Sequence, residues 1–259
     1  MSYGRLYLLP VFLGTPDPEL LSKRLIDTIH GLRQFVVENE KTARAFLKSV
    51  GTPIPQTELS LEILDEHTDI KSVPDLLKPL LNGNDVGLMS EAGCPGIADP
   101  GSELVRLAHL NNIQVVPLAG PSSILLGLMA SGLNGQRFRF LGYLPREGKD
   151  RIQTLKELER EVYKTGETQI FIETPYRNQQ LLEDILNQLD PELYLSIGCE
   201  LNDLAESCIT RTIGSWKKQP PSVHKRPCIF LIGRPVANKT TITSTPSKGR
   251  RLQPPRYRR

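Results

Sequence analysis

The stretch from Leu88 to Gly101, Leu-Met-Ser-Glu-Ala-Gly-Cys-Pro-Gly-Ile-Ala-Asp-Pro-Gly, constrains the fold more than any other. Its glycines and prolines follow the apolar residues Val86, Leu88 and Met89 almost without a spacer, which predicts a buried strand breaking into a shaped turn, with a helix from about Ser102. A turn at the carboxyl end of a strand in an α/β sheet is where ligands bind. Glycines let a ligand approach the backbone, prolines fix the loop, and Glu91 and Asp99 offer carboxylates. A structural turn with two solvated acids fits the same residues.

The rest of the chain repeats this arrangement. Leu6–Leu9 reads as a first strand ended by Pro10, residues 18–30 as a helix, and Phe35–Val37 as a second strand closed by Glu38. Further helices are expected over 42–50 and 72–81, with a weaker extended segment over 54–64. After the opening loop come a helix over 102–110, a strand over 114–118 and the small-residue loop Ala119-Gly120-Pro121-Ser122-Ser123, which opens another helix. Amides at such a helix start suit a carboxylate or phosphate, although Ser122 and Ser123 also fit as simple helix caps. Strand-loop-helix repeats predict a mainly parallel sheet covered by helices.

From Arg137 the pattern changes. Strands are expected over 138–144, 169–172, 193–199, 209–213 and 228–232, with helices over 152–162 and 179–189. Their close spacing predicts some antiparallel pairing. The fold class is therefore α/β with two domains: a mainly parallel sheet over residues 1–118, a mixed sheet over 119–235, and a ligand cleft between them.

Charge divides the chain again. The tail, residues 236–259, holds seven basic residues and no acid, which leaves residues 1–235 at −4 out of a total of +3. The tail is expected to be disordered; it fits a polyanion-binding arm such as one for RNA, or a solubilising tail. Cys94, Cys199, Cys208 and Cys228 show no metal-ligand or disulfide spacing. With no apolar run near bilayer length and no secretory start, no metal, no membrane and a cytoplasmic location are expected.

Taken together, the loops resemble a known family. Ser90-Glu91-Ala92-Gly93-Cys94-Pro95 with Ile97 and Asp99-Pro100-Gly101, then Val115 to Ser123, Gly142-Tyr143-Leu144-Pro145, Phe171-Ile172-Glu173-Thr174 with Arg177, and Glu200-Leu201 are similar to the tetrapyrrole methylase superfamily. The closest branch methylates a ribose 2′-hydroxyl of a cytidine in small-subunit ribosomal RNA. The resemblance implies a homodimeric methyltransferase that binds S-adenosylmethionine between its domains and recognises ribosomal RNA or the small ribosomal subunit. Cofactor contacts would come from Pro10, Glu91, Gly93, Ile97, Asp99, Pro121, Ser122 and Ser123, and from Leu201, Pro227, Cys228 and Ile229 in the second domain.

Methyl transfer to oxygen is an in-line displacement that needs positioning and, for a weakly nucleophilic hydroxyl, an acceptor for its proton. Glu38, Glu173, Arg177 and Glu200 are the candidate catalytic residues, and Lys41, Arg44 and His67 the candidate substrate contacts. For Glu38, Lys41 and Arg44 an ordinary solvated helix start fits equally. The branch's usual Asp is Glu91 here, its Glu-Asp-Thr-Arg is Glu38-Asn39-Glu40-Lys41, and its Arg-Glu-Leu-Thr-Lys is Cys199-Glu200-Leu201-Asn202-Asp203. These departures leave open a small-molecule acceptor such as a corrinoid, a modified protein side chain, or a non-catalytic binding role.

Overall fold

The computed structural model describes residues 2–235; the basic tail lies outside the described residues. Five short strands, β1 (Leu6–Leu8), β2 (Gln34–Val37), β3 (Ser60–Ile63), β4 (Val86–Met89) and β5 (Val115–Pro117), form one sheet in the order β3-β2-β4-β1-β5. Every pair is parallel. β4 is buried at all four positions, as its uninterrupted apolar run requires of a central strand. Because all strands run the same way, the carboxyl ends of β1, β2, β4 and β5 meet at one edge. That edge carries the loops after Leu8, Val37, Met89 and Pro117.

Helix ends differ from the periodicity at three places, each for a local reason. The helix expected from Pro18 becomes a 3-10 turn at Pro18–Leu20 and then α1 (Lys23–Gly31), because the Ser22 side chain accepts the Leu25 amide and starts a new helix there. The next helix, α2, runs over Glu40–Ser49; the Asn39 side chain accepts the Lys41 and Thr42 amides. The expected helix over 72–81 splits into a 3-10 turn at Val73–Leu77 and α3 (Lys78–Leu81), since Pro79 has no N–H with which to carry one helix through.

The second sheet is mixed. β6 (Phe138–Tyr143) lies parallel to β7 (Thr168–Ile172), while β10 (Cys228–Gly233), β8 (Tyr194–Cys199) and β9 (Ser207–Thr212) complete the order β6-β7-β10-β8-β9 with antiparallel pairs. α6 (Gly148–Thr165) and α7 (Asn178–Gln188) pack Leu155, Leu158, Leu182 and Ile185 against Phe171 and Phe230. A short helix, α8 (Ile213–Lys218), replaces the strand end expected near Ile213; its Trp216 is buried and donates to the Leu195 carbonyl at 2.9 Å. α4 (Ser102–Leu110) covers the first sheet, and α5 (Ser123–Ser131) lies on the second, with Gly127 against Ile229.

Between β1 and β5 the chain leaves no space. A Cβ on Gly120 would sit 2.3 Å from the Cβ of Pro10, whose ring cannot move aside. Gly120→Ala is expected to destabilise the protein by about 1–3 kcal/mol in a denaturant titration; an unchanged midpoint would show that the two loops part without cost.

Candidate functional site

The loops at the carboxyl edge of the first sheet face the second sheet across a cavity of about 300 Å³. This size falls at the lower end for ligand sites. The loop after β4 forms its floor and is stitched to β1: Val11 N–H donates to the Gly93 carbonyl at 2.8 Å. Gly93 has φ +74°, a left-handed conformation that only glycine adopts freely. Three non-glycine residues with positive φ, Ala98, Glu200 and Asn202, cluster here as well, two of them on the cavity wall. Strain of this kind concentrates where backbone is shaped for a ligand.

The structure brings many of the expected residues together. Gly93, Ile97 and Asp99 line the cavity from the first half, and Ser122, Ser123, Glu173, Glu200, Leu201, Pro227, Cys228 and Ile229 from the second. Ser122 precedes α5 without a capping hydrogen bond from its side chain, so here the simple capping reading fails and the first-turn amides are not satisfied by it. Other expected residues lie off the wall. Pro10 packs on Gly120, and the Pro121 carbonyl accepts the Cys94 thiol at 3.3 Å. Glu91 is exposed; its amide donates to Glu38 Oε2 at 3.0 Å, and its carboxylate accepts from Thr42 Oγ1 at 3.4 Å.

The substrate candidates also lie outside the wall. Arg44 donates to Glu40 and to the Gln56 carbonyl, at 2.8 and 2.7 Å, and is already engaged. Lys41 is exposed at the start of α2, and His67 is exposed with Nε2 3.6 Å from Glu66.

Two ion pairs shape the far wall. Glu173 is buried at the end of β7, and its Oε1 accepts both the Thr174 amide and Arg177 Nη2, each at 2.6 Å. That leaves Oε2 without a partner among the described residues. Glu200 Oε2 accepts a fork from Arg226, Nε at 2.9 Å and Nη2 at 2.7 Å. The hydrogen bonds to Glu173 and Glu200 hold the Arg177 and Arg226 guanidinium groups above their usual pKa. On the opposite wall, burial and the negative charges of Glu38 and Glu91 push the Asp99 carboxyl up to about 6, although a hydrogen bond with Ser90 opposes them.

Sequence reasoning did not single out Tyr143, Phe140, Leu13 or Asp203 for the wall. Alternation along β6 places Phe140 and Tyr143 on opposite faces, but the pairing with β7 shifts between them and Gly142 takes φ +67°. The bulge turns Tyr143 to the same cavity as Phe140. Burial and the nearby Asp99 and Glu173 carboxylates raise the Tyr143 hydroxyl pKa. Asp203 comes from a contact between the halves: its Oδ2 accepts Thr15 N–H at 3.0 Å and Thr15 Oγ1 at 2.6 Å.

A parallel sheet and a mixed sheet with a shaped cavity at the parallel strands' carboxyl ends define an α/β protein with a ligand-sized cavity between its two sheets. Residues 7–200 match the family model described as Tetrapyrrole (Corrin/Porphyrin) Methylases, and the chain belongs to that family of S-adenosylmethionine-dependent methyltransferases. It is 30% identical over 234 residues to Ribosomal RNA small subunit methyltransferase I of Escherichia coli O157:H7, covering 89% of this chain and 78% of that protein. It is 32% identical over 212 residues to the protein of the same name from Halalkalibacterium halodurans, covering 81% and 68%. Its fold is similar to the crystal structure of the methyltransferase CobJ, with a TM-score of 0.60 at 14% identity over 93% of this chain and 98% of that one.

The cavity residues fit the family's methyl donor. S-adenosylmethionine carries a permanent sulfonium cation, and Asp99, raised by burial first and by the Glu38 and Glu91 charges second, is a carboxylate on the wall with which a cation can pair. The donor's amino acid carboxylate suits the start of α5, where the Ser122 side chain makes no capping hydrogen bond to the first-turn amides. Apolar lining from Leu13, Ile97, Leu201 and Ile229 suits the adenine. Among the described residues no group of three or more His, Cys, Asp or Glu is placed to hold a metal ion, and no helix is long and apolar enough to cross a membrane.

Proposed function

We propose that this chain binds S-adenosylmethionine in the cavity and transfers its methyl group to a ribose 2′-hydroxyl of small-subunit ribosomal RNA. The observation that carries the reading is Glu173, a buried carboxylate at the cavity wall with one oxygen held by Arg177 and Thr174 and the other unpartnered among the described residues. The relatives named as small-subunit ribosomal RNA methyltransferases supply the acceptor class.

The cofactor supplies an electrophilic methyl carbon on sulfur. The protein's part is positioning. Asp99, Ser122 and Ser123 would hold the donor, and the wall that carries Glu173 would receive the acceptor. Glu173 Oε2 would accept the proton that the acceptor hydroxyl gives up on methylation. Arg177 orients Glu173 through its hydrogen bond to Oε1. Glu38 acts through the loop, fixing the Glu91 amide, and Glu200 acts through Arg226. Pro10, Glu91 and Pro121 shape the loops that carry the cofactor contacts. Lys41 and His67, exposed beyond the wall, serve as contacts to RNA phosphates in this reading, with Arg44 bracing the start of α2.

The protein works as a cytoplasmic homodimer in this reading. α5 is apolar on all sides, and its outer face leaves Leu125 and Met129, four residues apart, exposed. Met129→Glu is expected to turn a dimer into a monomer in sedimentation velocity; a wild-type monomer at micromolar concentration would sink that part.

Labelled methyl from S-adenosylmethionine tests the reaction directly. Incubation with undermethylated small ribosomal subunits should put the label into RNA, in a dinucleotide that resists alkali because its 2′-oxygen is blocked. Label on a base would refute the ribose assignment. Label only in a protein or small-molecule fraction would refute the RNA assignment and favour the reading that the mildly acidic body of the chain, −4 over residues 1–235, supports.

A further inference from the structure

The turn after β7 carries an aromatic ring on a hydrogen-bonded backbone that leaves it exposed. Tyr176 is 74% exposed, between Pro175, which lines the cavity, and Arg177, which holds Glu173. The turn is closed by Arg177 N–H donating to the Thr174 carbonyl at 2.9 Å. A second segment is tied to it: Lys225 N–H donates to the Pro175 carbonyl at 2.9 Å, and the fully buried Asn178 donates its Nδ2 to the Arg226 carbonyl at 2.6 Å. Val223, fully buried, anchors that segment.

Lys225 adopts φ +61°, a conformation that costs a non-glycine residue free energy. Its N–H thereby meets Pro175, and its ammonium lies over the Tyr176 ring at 5.8 Å from the centroid. Arg177 and Arg226 are matched by Glu173 and Glu200, whereas Lys225 forms no ion pair among the described residues. On a body of net negative charge, the edge of the cavity thus presents an exposed ring beside a cation without an ion pair among the described residues.

We propose that Tyr176 and Lys225 form a stacking subsite for the nucleobase of a nucleotide next to the one whose ribose enters the cavity. The inference rests on the RNA reading above and deepens it. Single-stranded RNA is bound by stacking splayed bases on exposed aromatic rings, and cations beside the ring meet the phosphates. Pro175 and Pro227, neighbours of the two subsite residues in sequence or one residue removed, are on the cavity wall, so a base on the ring stays continuous with a ribose inside.

The test uses the full chain and two probes: a single-stranded RNA decamer with a central cytidine flanked by 2-aminopurine, and small ribosomal subunits. Binding to wild type should quench the 2-aminopurine. Tyr176→Phe should preserve the quench, while Tyr176→Ala should remove it, weaken decamer binding about tenfold and raise KM for subunits by a similar factor. Lys225→Gln should weaken binding several-fold, with less effect as salt rises. Calorimetry with S-adenosylmethionine should give the wild-type affinity for each variant, which excludes a misfolded pocket. RNA affinity and KM that survive Tyr176→Ala would overturn the subsite alone. A wild-type chain that binds S-adenosylmethionine but neither RNA probe would overturn the subsite and the RNA reading together.

Discussion

Gly93→Trp should abolish S-adenosylmethionine binding, weakening it by ~100-fold or more in calorimetry, equivalent to a loss of about 2.7 kcal/mol. Gly93 is pinned, because its carbonyl accepts the Val11 amide at 2.8 Å, so the backbone cannot step back from the cavity. Its φ of +74° already penalises any side chain by about 1–2 kcal/mol. The direction of the side chain then decides the larger effect. A Cβ there would lie 3.2 Å from Leu13 Cδ2 and 3.7 Å from the Pro121 carbonyl, so a single methyl needs only a small shift of Leu13. An indole has to occupy the cavity of about 300 Å³ itself. Gly93→Ala is therefore the control: it should lose stability through its backbone conformation and keep most of its affinity. Wild-type affinity in Gly93→Trp would show that the cofactor binds elsewhere.

In the first sheet β1, β4 and β5 are legible because they are short, apolar and run into Gly/Pro loops, whereas β2 closes on Glu38 and Asn39 and the exposed β3 reads only as a weak extended segment. Helix starts were less legible. Asp17 accepts the Glu19 amide and starts a 3-10 turn while Ser22 accepts the Leu25 amide and starts α1, a division that periodicity does not encode. At the site, the loop after β4 and the start of α5 could be read because glycines, prolines and small polar residues advertise ligand-shaped backbone. Tyr143 could not: a bulge at Gly142 reverses the face that alternation assigns to it. Asp203 reaches Thr15 across 188 residues of sequence, a contact no local pattern carries. The exposed cations were the opposite case. Lys41, Arg44 and His67 have the right chemistry for phosphates, but residue type says nothing of prior commitments, and Arg44 is bound to Glu40 and the Gln56 carbonyl.

Asp99→Asn should weaken S-adenosylmethionine binding at pH 7.5 by about tenfold, one lost charge contact of ~1.4 kcal/mol, while making the fold more stable. Both follow from a carboxyl raised from 3.8 to about 6 by burial and by the facing charges of Glu38 and Glu91. The folded pKa lies above the unfolded one, so the folded chain binds the proton more tightly. Stability is favoured while Asp99 is protonated and declines as pH rises from about 4 through 6. At neutral pH the ionised group therefore costs stability, and asparagine relieves that cost. For a half-buried group with solvent screening the gain is on the order of 1 kcal/mol, visible as a higher Tm. Binding has the opposite sign. The sulfonium is cationic at every pH, so wild-type affinity should fall as pH drops below about 6 and Asp99 takes up its proton. That dependence should be absent in Asp99→Asn. If the variant binds as tightly as wild type at pH 7.5 and keeps the acid-side fall, Glu38 or Glu91 rather than Asp99 carries the charge that meets the cofactor.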